Sequence, residues 1–352
     1  MEHTIEPRNW DLRSDTVTKP TVEMLSRMME APVGDDAFGE DVTVNELEQT
    51  VAKLCNKQAA LFCASSTMSN QLAIRTHITV VPASLVVHQN SHVFQYESGG
   101  ASLLTQAMMV PVFPESTVNL TKADVEKNII PDNFRYHKAP TKLVCLENTF
   151  SGVVMPLEDI EQIAGMSRGR GIPVHMDGAR LWNASIATGI PLATYASHVD
   201  SLNLCLSKGM GCPVGAMLVG SNEFIERARH FRKVFGGGWR QAGVLAAAGL
   251  YAIESIWPTM EESHRLARKL ADGFVEIGFE LALPVDTNMV LLLSKGKKLP
   301  NDQDFNKLAD ALKPKGIVLG LPYEGSVRIV VHHQITGECI DCILQSARRI
   351  FV

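Results

Sequence analysis

Leu202-Asn203-Leu204-Cys205-Leu206-Ser207-Lys208-Gly209-Met210-Gly211-Cys212-Pro213-Val214-Gly215 is the stretch that decides the fold. Leu202, Leu204 and Leu206 recur with the two-residue period of a strand, which ends in Ser-Lys and opens into a glycine-rich loop. Upstream, Ile172-Pro173-Val174-His175-Met176 forms a second apolar run and leads into Asp177-Gly178-Ala179-Arg180, with Asp177 thirty-one residues before Lys208. In α/β folds, ligands bind outside the carboxyl ends of the strands. These two strands therefore bring an amine, a carboxylate and a guanidinium to one such edge.

Outward from there, strand-like and helix-like segments alternate from about residue 45 to 255, the pattern of a mostly parallel sheet flanked by helices. Seven strands are predicted, over Ala59–Cys63, Leu85–Val87, Met108–Val112, Leu143–Leu146, Ile172–Met176, Leu202–Leu206 and Met217–Val219. Leu157, Ile160, Ile163 and Met166 repeat at helical spacing within one of the intervening segments, 157–170. Helical pattern then dominates from Gln241 through Val275. Short apolar runs follow at Val290–Leu293, Ile317–Leu319 and Val327–Val331. The expected fold is α/β, with a large domain over 25–255 and a smaller α+β domain over 256–352, residues 1–24 packing nearby. With no repeat and no low-complexity linker, the two are expected to pack together.

The 352 residues are 45% hydrophobic and 20% charged, ordinary values for a globular chain. A net charge of −5 gives no electrostatic reason to expect nucleic acid or an anionic membrane as partner. No apolar run approaches the roughly 20 residues of a membrane span. The first ten residues lack both a secretory apolar stretch and the arginine-rich character of a transit peptide. Seven scattered cysteines, several inside strand-like runs, read as buried thiols in a reducing, cytoplasmic setting. Cys339-Ile340-Asp341-Cys342 has metal-type spacing but no second pair, so structural thiols and no metal are expected.

Ser65-Ser66-Thr67 follows the strand Ala59–Cys63 and precedes a helical segment. Such a turn offers backbone N–H groups and a positive dipole end to a phosphate, though by itself it reads equally well as a helix cap. Lys208 alone reads as a solvated lysine, Asp177 as a cap, Arg180 as a surface charge. Together they require four coincidences along one edge. An amine for a Schiff base, a carboxylate for a pyridinium nitrogen and a phosphate turn are what pyridoxal phosphate requires. Neither phosphate-loop fingerprint of nucleotide binders follows a strand.

Longer motifs point to a family. Asp11-Leu12-Arg13-Ser14-Asp15-Thr16-Val17-Thr18, Gly34-Asp35-Asp36-Ala37-Phe38-Gly39-Glu40-Asp41, Glu97-Ser98-Gly99-Gly100, Leu146-Glu147-Asn148-Thr149, Asp177-Gly178-Ala179-Arg180, Leu206-Ser207-Lys208-Gly209 and Gly236-Gly237-Gly238-Trp239-Arg240-Gln241 occur in order. With Val327-Arg328-Ile329-Val330 they make the chain, from about residue 11 to 335, closely similar to the low-specificity L-threonine aldolases. That resemblance implies an aspartate-aminotransferase-like fold, pyridoxal phosphate as cofactor and a β-hydroxy amino acid as substrate, threonine or allo-threonine cleaved to glycine and an aldehyde. It implies that Lys208 carries the cofactor, Asp177 holds the ring nitrogen, and Ser66, Thr67 and Ser207 line the phosphate. Arg240 would reach the phosphate from a neighbouring subunit of a homotetramer with shared active sites. Ser14, Arg180 and Arg328 form the expected substrate-carboxylate clamp, Arg180 also lying near the cofactor. His92 would stack on the cofactor and His137 lie near the β-hydroxyl, either serving as base; the spacing to Glu97 favours His92 over His88 for the first place.

The chain departs from the family's usual residues at Ser66, where glycine is common, and at Phe150, where histidine is. Trp239 and Val331 also stand in place of the usual methionine and threonine. A positive φ at Ser66 would strain the phosphate turn. Because Lys208-like and Asp177-like residues recur on related scaffolds, β-elimination, racemisation or transamination remain alternatives, as does a non-catalytic cofactor-binding homologue. Arg13-Ser14-Asp15 and the Gly-Gly-Gly-Trp-Arg-Gln segment favour the aldolase.

Overall fold

The computed structural model describes residues 9–115, 118–133, 137–293, 302–323 and 325–352. Strands in these residues are β1 (Trp10–Asp11), β2 (Ala59–Cys63), β3 (Ser84–His88), β4 (Met108–Val112), β5 (Thr141–Glu147), β6 (Val174–Asp177), β7 (Ser201–Cys205), β8 (Ala216–Gly220), β9 (Met289–Leu293), β10 (Ile317–Val318) and β11 (Ser326–Val330). Seven of them form one sheet in the order β2-β8-β7-β6-β5-β3-β4. Within it β3 pairs in parallel with β4 and β5, and the parallel run continues through β6 to β7. Only β8 runs against the rest, antiparallel to both β2 and β7. The seven predicted strands are the seven observed.

One boundary matters for chemistry. The sixth strand begins at Val174 rather than Ile172 and extends through Asp177. Asp177 thus rides on the strand itself, in register with Glu147 of β5 and Asn203 of β7. Gly178 turns the chain sharply behind it. A Cβ there would lie 2.7 Å from the Asn203 carbonyl oxygen and 2.8 Å from a Leu202 methyl.

The strands of the sheet are apolar on both faces because helices cover both. β7 and β8 are buried along their whole length. The core around the sheet gathers side chains from Met24 to Met260. A second apolar cluster takes Leu12 together with residues between Leu266 and Ala347, around the antiparallel pair β9 and β11. Helices Met260–Ile277 and Gly337–Phe351 pack against each other there. Cys339 is buried in the second helix and Cys342 half-buried, both as free thiols.

The amino-terminal segment stitches these two parts. Trp10 N–H donates to Gly316 O (2.7 Å) and Leu12 N–H to Val318 O (2.8 Å), forming the parallel pair of β1 and β10. Val330 N–H donates to Leu12 O at 2.8 Å, and the His332 ring to Asp11 O at 2.8 Å. Six residues beyond Leu12, the Thr18 hydroxyl donates to Lys208 O at 2.9 Å. Residues 10–18 therefore fix the chain carrying Lys208 relative to the sheet carrying Arg328.

Gly178→Ala tests the tightness of the turn behind Asp177. The added methyl meets backbone that has no free rotamer to yield. It is expected to cost about 1–3 kcal/mol, read as a lower urea midpoint with an unchanged denaturant slope.

Candidate active site

The carboxyl ends of β5, β6 and β7 converge on Asp177. Its carboxylate is 2% exposed. One oxygen accepts from Asn203 Nδ2 (2.9 Å) and Ala179 N (3.0 Å), the other from Asn70 Nδ2 at 2.8 Å. Burial alone would raise its pKa. The Lys208 charge, the two amides and His92 outweigh that and hold the carboxyl below its usual range.

Beside it lie two further carboxylates. Glu97 is buried and accepts from His92 Nδ1 (3.0 Å), from Asn70 Nδ2 (2.8 Å) and from Gln71 Nε2. Ligating atoms of His92, Glu97 and Asp177 all fall within 4.8 Å of one another, with the Asn70 amide joining the two acids. The hydrogen bond to Glu97 is the largest reason that the His92 pKa is raised, burial opposing it. Glu147 ends β5 and accepts the His92 backbone N–H at 2.8 Å. Burial, then the neighbouring Asp177 charge, push its carboxyl well above the usual range. Two acids side by side thus separate, Asp177 pushed down and Glu147 pushed up.

Ser66 is the first residue of the helix Ser66–His77, and Ser65 caps that helix with its hydroxyl accepting from Met68 N at 3.1 Å. Ser66 lies outside the positive-φ residues, so serine is accommodated without strain. Its Oγ is buried without a hydrogen-bond partner. Thr67 is half-buried next to it. Ser207 follows β7, its Oγ 3.6 Å from Cys205 Sγ. The loop of Gly236–Gly238 runs past the same helix start, a Cβ on Gly237 reaching the Met68 side chain at 2.6 Å. Trp239 stacks on Phe62, ring centroids 5.7 Å apart. Arg240 is exposed and its nearest ionic partner is Asp35 at 3.5 Å. It does not join the phosphate turn of its own chain.

Arg180 differs from its sequence reading in one respect. It makes a two-pronged buried ion pair with Asp15, Nε to Oδ2 at 2.8 Å and Nη2 to Oδ1 at 2.6 Å. Ser14 caps the short turn containing Asp15, its hydroxyl accepting from Thr16 N at 3.3 Å. Arg328, on β11, is close enough to feel both charges. Burial and the Arg180 charge lower its pKa, Asp15 opposing. Among the described residues Arg328 makes no ion pair, so of the two guanidiniums it is the uncommitted one.

His137 is not brought to this edge. It is exposed, and the chain after it is pinned to the opposite end of the sheet by Ser84, which donates from its hydroxyl to Ala139 O (3.0 Å) and from its N–H to Pro140 O (2.8 Å). The whole length of β5, roughly 20 Å, separates that end from Glu147. Within its own chain His137 thus lies at the amino edge of the sheet, apart from the Asp177 end. Phe150, standing in place of the family's histidine, packs on the His88 ring with centroids 4.5 Å apart. Residues that the sequence reading left out are Asp15, Asn70, Glu97, Glu147 and Asn203. Asp15, Glu97 and Glu147 lay inside quoted motifs, and their charge was the available signal.

The donor set fits pyridoxal phosphate. A buried anionic carboxylate suits a protonated ring nitrogen, an orphaned hydroxyl at a helix start suits a phosphate, and Lys208 is free of any ion pair among the described residues. Comparison with known proteins agrees. Residues 11–296 match the beta-eliminating lyase family, and the fold is of the aspartate-aminotransferase type. The chain is 42% identical to the low-specificity L-threonine aldolase of Saccharomyces cerevisiae over 94% of this chain and 84% of that one. It is 38% identical to the Escherichia coli protein of the same name, over 93% and 95%. The solved structure of Leishmania major threonine aldolase superimposes with a TM-score of 0.81 at 19% identity, covering 97% of this chain and all of that one. The chain belongs to the beta-eliminating lyase family, on its low-specificity L-threonine aldolase branch.

Asp15 is the residue whose loss this geometry makes most damaging. Asp15→Asn would leave Arg180 buried and unpaired, at a cost of about 3–5 kcal/mol. Burial raises the Asp15 pKa, but Arg180 outweighs it, so the folded carboxyl titrates below its ordinary 3.8. Its stabilisation is present above that value and is lost as pH falls through the lower folded one. Urea unfolding of wild type and variant should therefore differ at pH 7 and converge as the acid is protonated.

Proposed function

We propose that this chain cleaves L-threonine, L-allo-threonine and related β-hydroxy-α-amino acids between Cα and Cβ, giving glycine and an aldehyde, with pyridoxal phosphate as cofactor. The observation that carries the reading is the juxtaposition of Lys208, the anionic Asp177 and the free guanidinium of Arg328 in a chain 42% identical to a yeast threonine aldolase. Bound pyridoxal phosphate supplies an electron sink for the pair released when the bond breaks.

Lys208 Nζ would hold the cofactor. Asp177 would face its ring nitrogen and favour its protonated form, through the oxygen atoms that Asn70 and Asn203 orient. The Ser66–His77 helix start, with Ser66, Thr67 and Ser207, receives the phosphate; Arg240, exposed in its own chain, reaches it from a neighbouring subunit. Arg328, with Ser14, binds the substrate carboxylate, and Arg180 borders it while held by Asp15. Fixing the carboxylate would set the orientation of the bonds at Cα and so help to select which of them breaks. His92 takes the proton from the β-hydroxyl at Nε2, since Nδ1 is engaged by Glu97. Arg240, exposed and paired only with Asp35 in its own chain, supports a site shared between subunits of a homotetramer, and free cysteines throughout support a cytoplasmic setting. Glycine supply and threonine breakdown are the metabolic roles that this reaction serves.

Two measurements test the reading. Aldehyde release from L-threonine and L-allo-threonine, followed by a coupled assay, is expected from wild type and should vanish in Lys208→Ala together with the visible cofactor band. A band without aldehyde from either substrate would redirect the assignment to elimination or transamination. His92→Asn is expected to lower kcat by about 100-fold or more, and His137→Asn much less. With the His92 pKa raised, the neutral base is available only above its ordinary 6.5. The acid limb of kcat/KM should therefore lie above that value and disappear in His92→Asn.

A further inference from the structure

Behind Asp177, between the sheet and the helix Ser66–His77, runs a column of buried polar side chains that the reaction does not touch. Asn70 and His77 are seven residues apart, two turns along one stripe of that helix. His175 and Asp177 lie on one face of β6, and their register partners Ser201 and Asn203 on β7. The hydrogen bonds run without a gap. His77 Nε2 is 2.7 Å from Ser201 Oγ, and Ser201 Oγ is 2.8 Å from His175 Nδ1. His175 Nε2 is 3.1 Å from Asn70 Oδ1, and Asn70 Nδ2 is 2.8 Å from Asp177.

The direction of every bond follows from donor counting. Asn70 turns both amide hydrogens to carboxylates, one to Asp177 and one to Glu97. Its oxygen must then accept, so His175 Nε2 carries a hydrogen. Burial drives His175 strongly toward the neutral form, so Nδ1 is bare and accepts from Ser201. The Ser201 hydroxyl is spent on that bond, and its oxygen accepts from His77 Nε2–H, in a histidine whose pKa burial pushes down to about 3. Phe224 fixes the His77 ring from one side, centroids 4.6 Å apart.

We propose that His77, Ser201 and His175 are positioning residues that act through Asn70, a head-to-tail chain of donors that keeps Asp177 anionic and aimed at the cofactor's ring nitrogen. Each bond polarises the next, so the chain presents more positive potential to Asp177 than Asn70 alone. It is not a path for protons. Although His77 lines a cavity of about 590 Å³ at the far end, the Asn70 amide interrupts any relay, because passing a proton would strip its oxygen of the acceptor role.

The inference rests on Asp177 being the partner of the ring nitrogen, and the test separates the two claims. Holoenzyme loaded with pyridoxal phosphate labelled with nitrogen-15 in the ring reports ring protonation directly by NMR. Asp177→Asn serves as reference: a resonance unchanged from wild type there would overturn the cofactor assignment and the chain with it. In His175→Phe the resonance should move toward that of the unprotonated ring, with kcat lowered about tenfold and KM within about threefold. His175→Gln, which has a donor and an acceptor at the right ends, should restore both. Ser201→Ala is a smaller truncation for use should His175→Phe fail to fold, and is expected to shift the resonance the same way. Wild-type resonance and kcat in His175→Phe or Ser201→Ala, with Asp177→Asn shifted, would overturn the chain alone. So would His175→Gln behaving like His175→Phe.

Discussion

A carboxylate held ionised inside a sheet edge is the constraint on which the rest of this structure depends. Removing an ion of that size from water costs several kcal/mol even after the protein relaxes. Asp177 recovers it from three N–H donors and a lysine charge, and none of these arrives by local sequence alone. Asn203 comes from the neighbouring strand, Asn70 from a helix across the sheet face, and Ala179 N–H only because Gly178 lets the chain turn tightly. The register of β6 against β7 is therefore set by hydrogen bonding at the site as well as by leucine packing.

The same charge orders its neighbours. Glu147, buried and beside that charge, is harder to ionise, while His92, facing both Asp177 and Glu97, gains a proton more readily. The amino-terminal segment imposes a second ordering. By carrying Asp15 to Arg180 and the Thr18 hydroxyl to the Lys208 carbonyl, it leaves one guanidinium of two engaged and holds the lysine loop in place.

The sheet was legible in the sequence because parallel strands buried on both faces read as short apolar runs, and here all seven did. Lys208 and Asp177 were legible because each ends such a run. The supporting shell was not. Asn70 and His77 sit on a helix whose buried side is largely polar, so no apolar stripe marks which residues face the sheet. His175 sits among apolar residues of a strand, where a histidine carries no sign of its partner. For His137 nothing in the sequence signals which end of β5 it lies beside in its own chain. Phe150, a departure from the family's usual histidine, packs its ring on that of His88.

Charges at the site are unevenly engaged. Asp15 neutralises Arg180 and Glu97 faces His92, while Asp177 feels the Lys208 charge without a direct ion pair. Arg328 likewise makes no ion pair among the described residues, and Arg180 repels it. Arg328 is exposed and uncommitted, so it is open to an arriving anion, and its planar fork matches a carboxylate in two parallel hydrogen bonds. On the proposed reading, selectivity for an α-amino acid would follow from geometry: the carboxylate would meet Arg328 while the amino group took the place of Lys208, and a ligand lacking either group would leave one of those two charges unanswered.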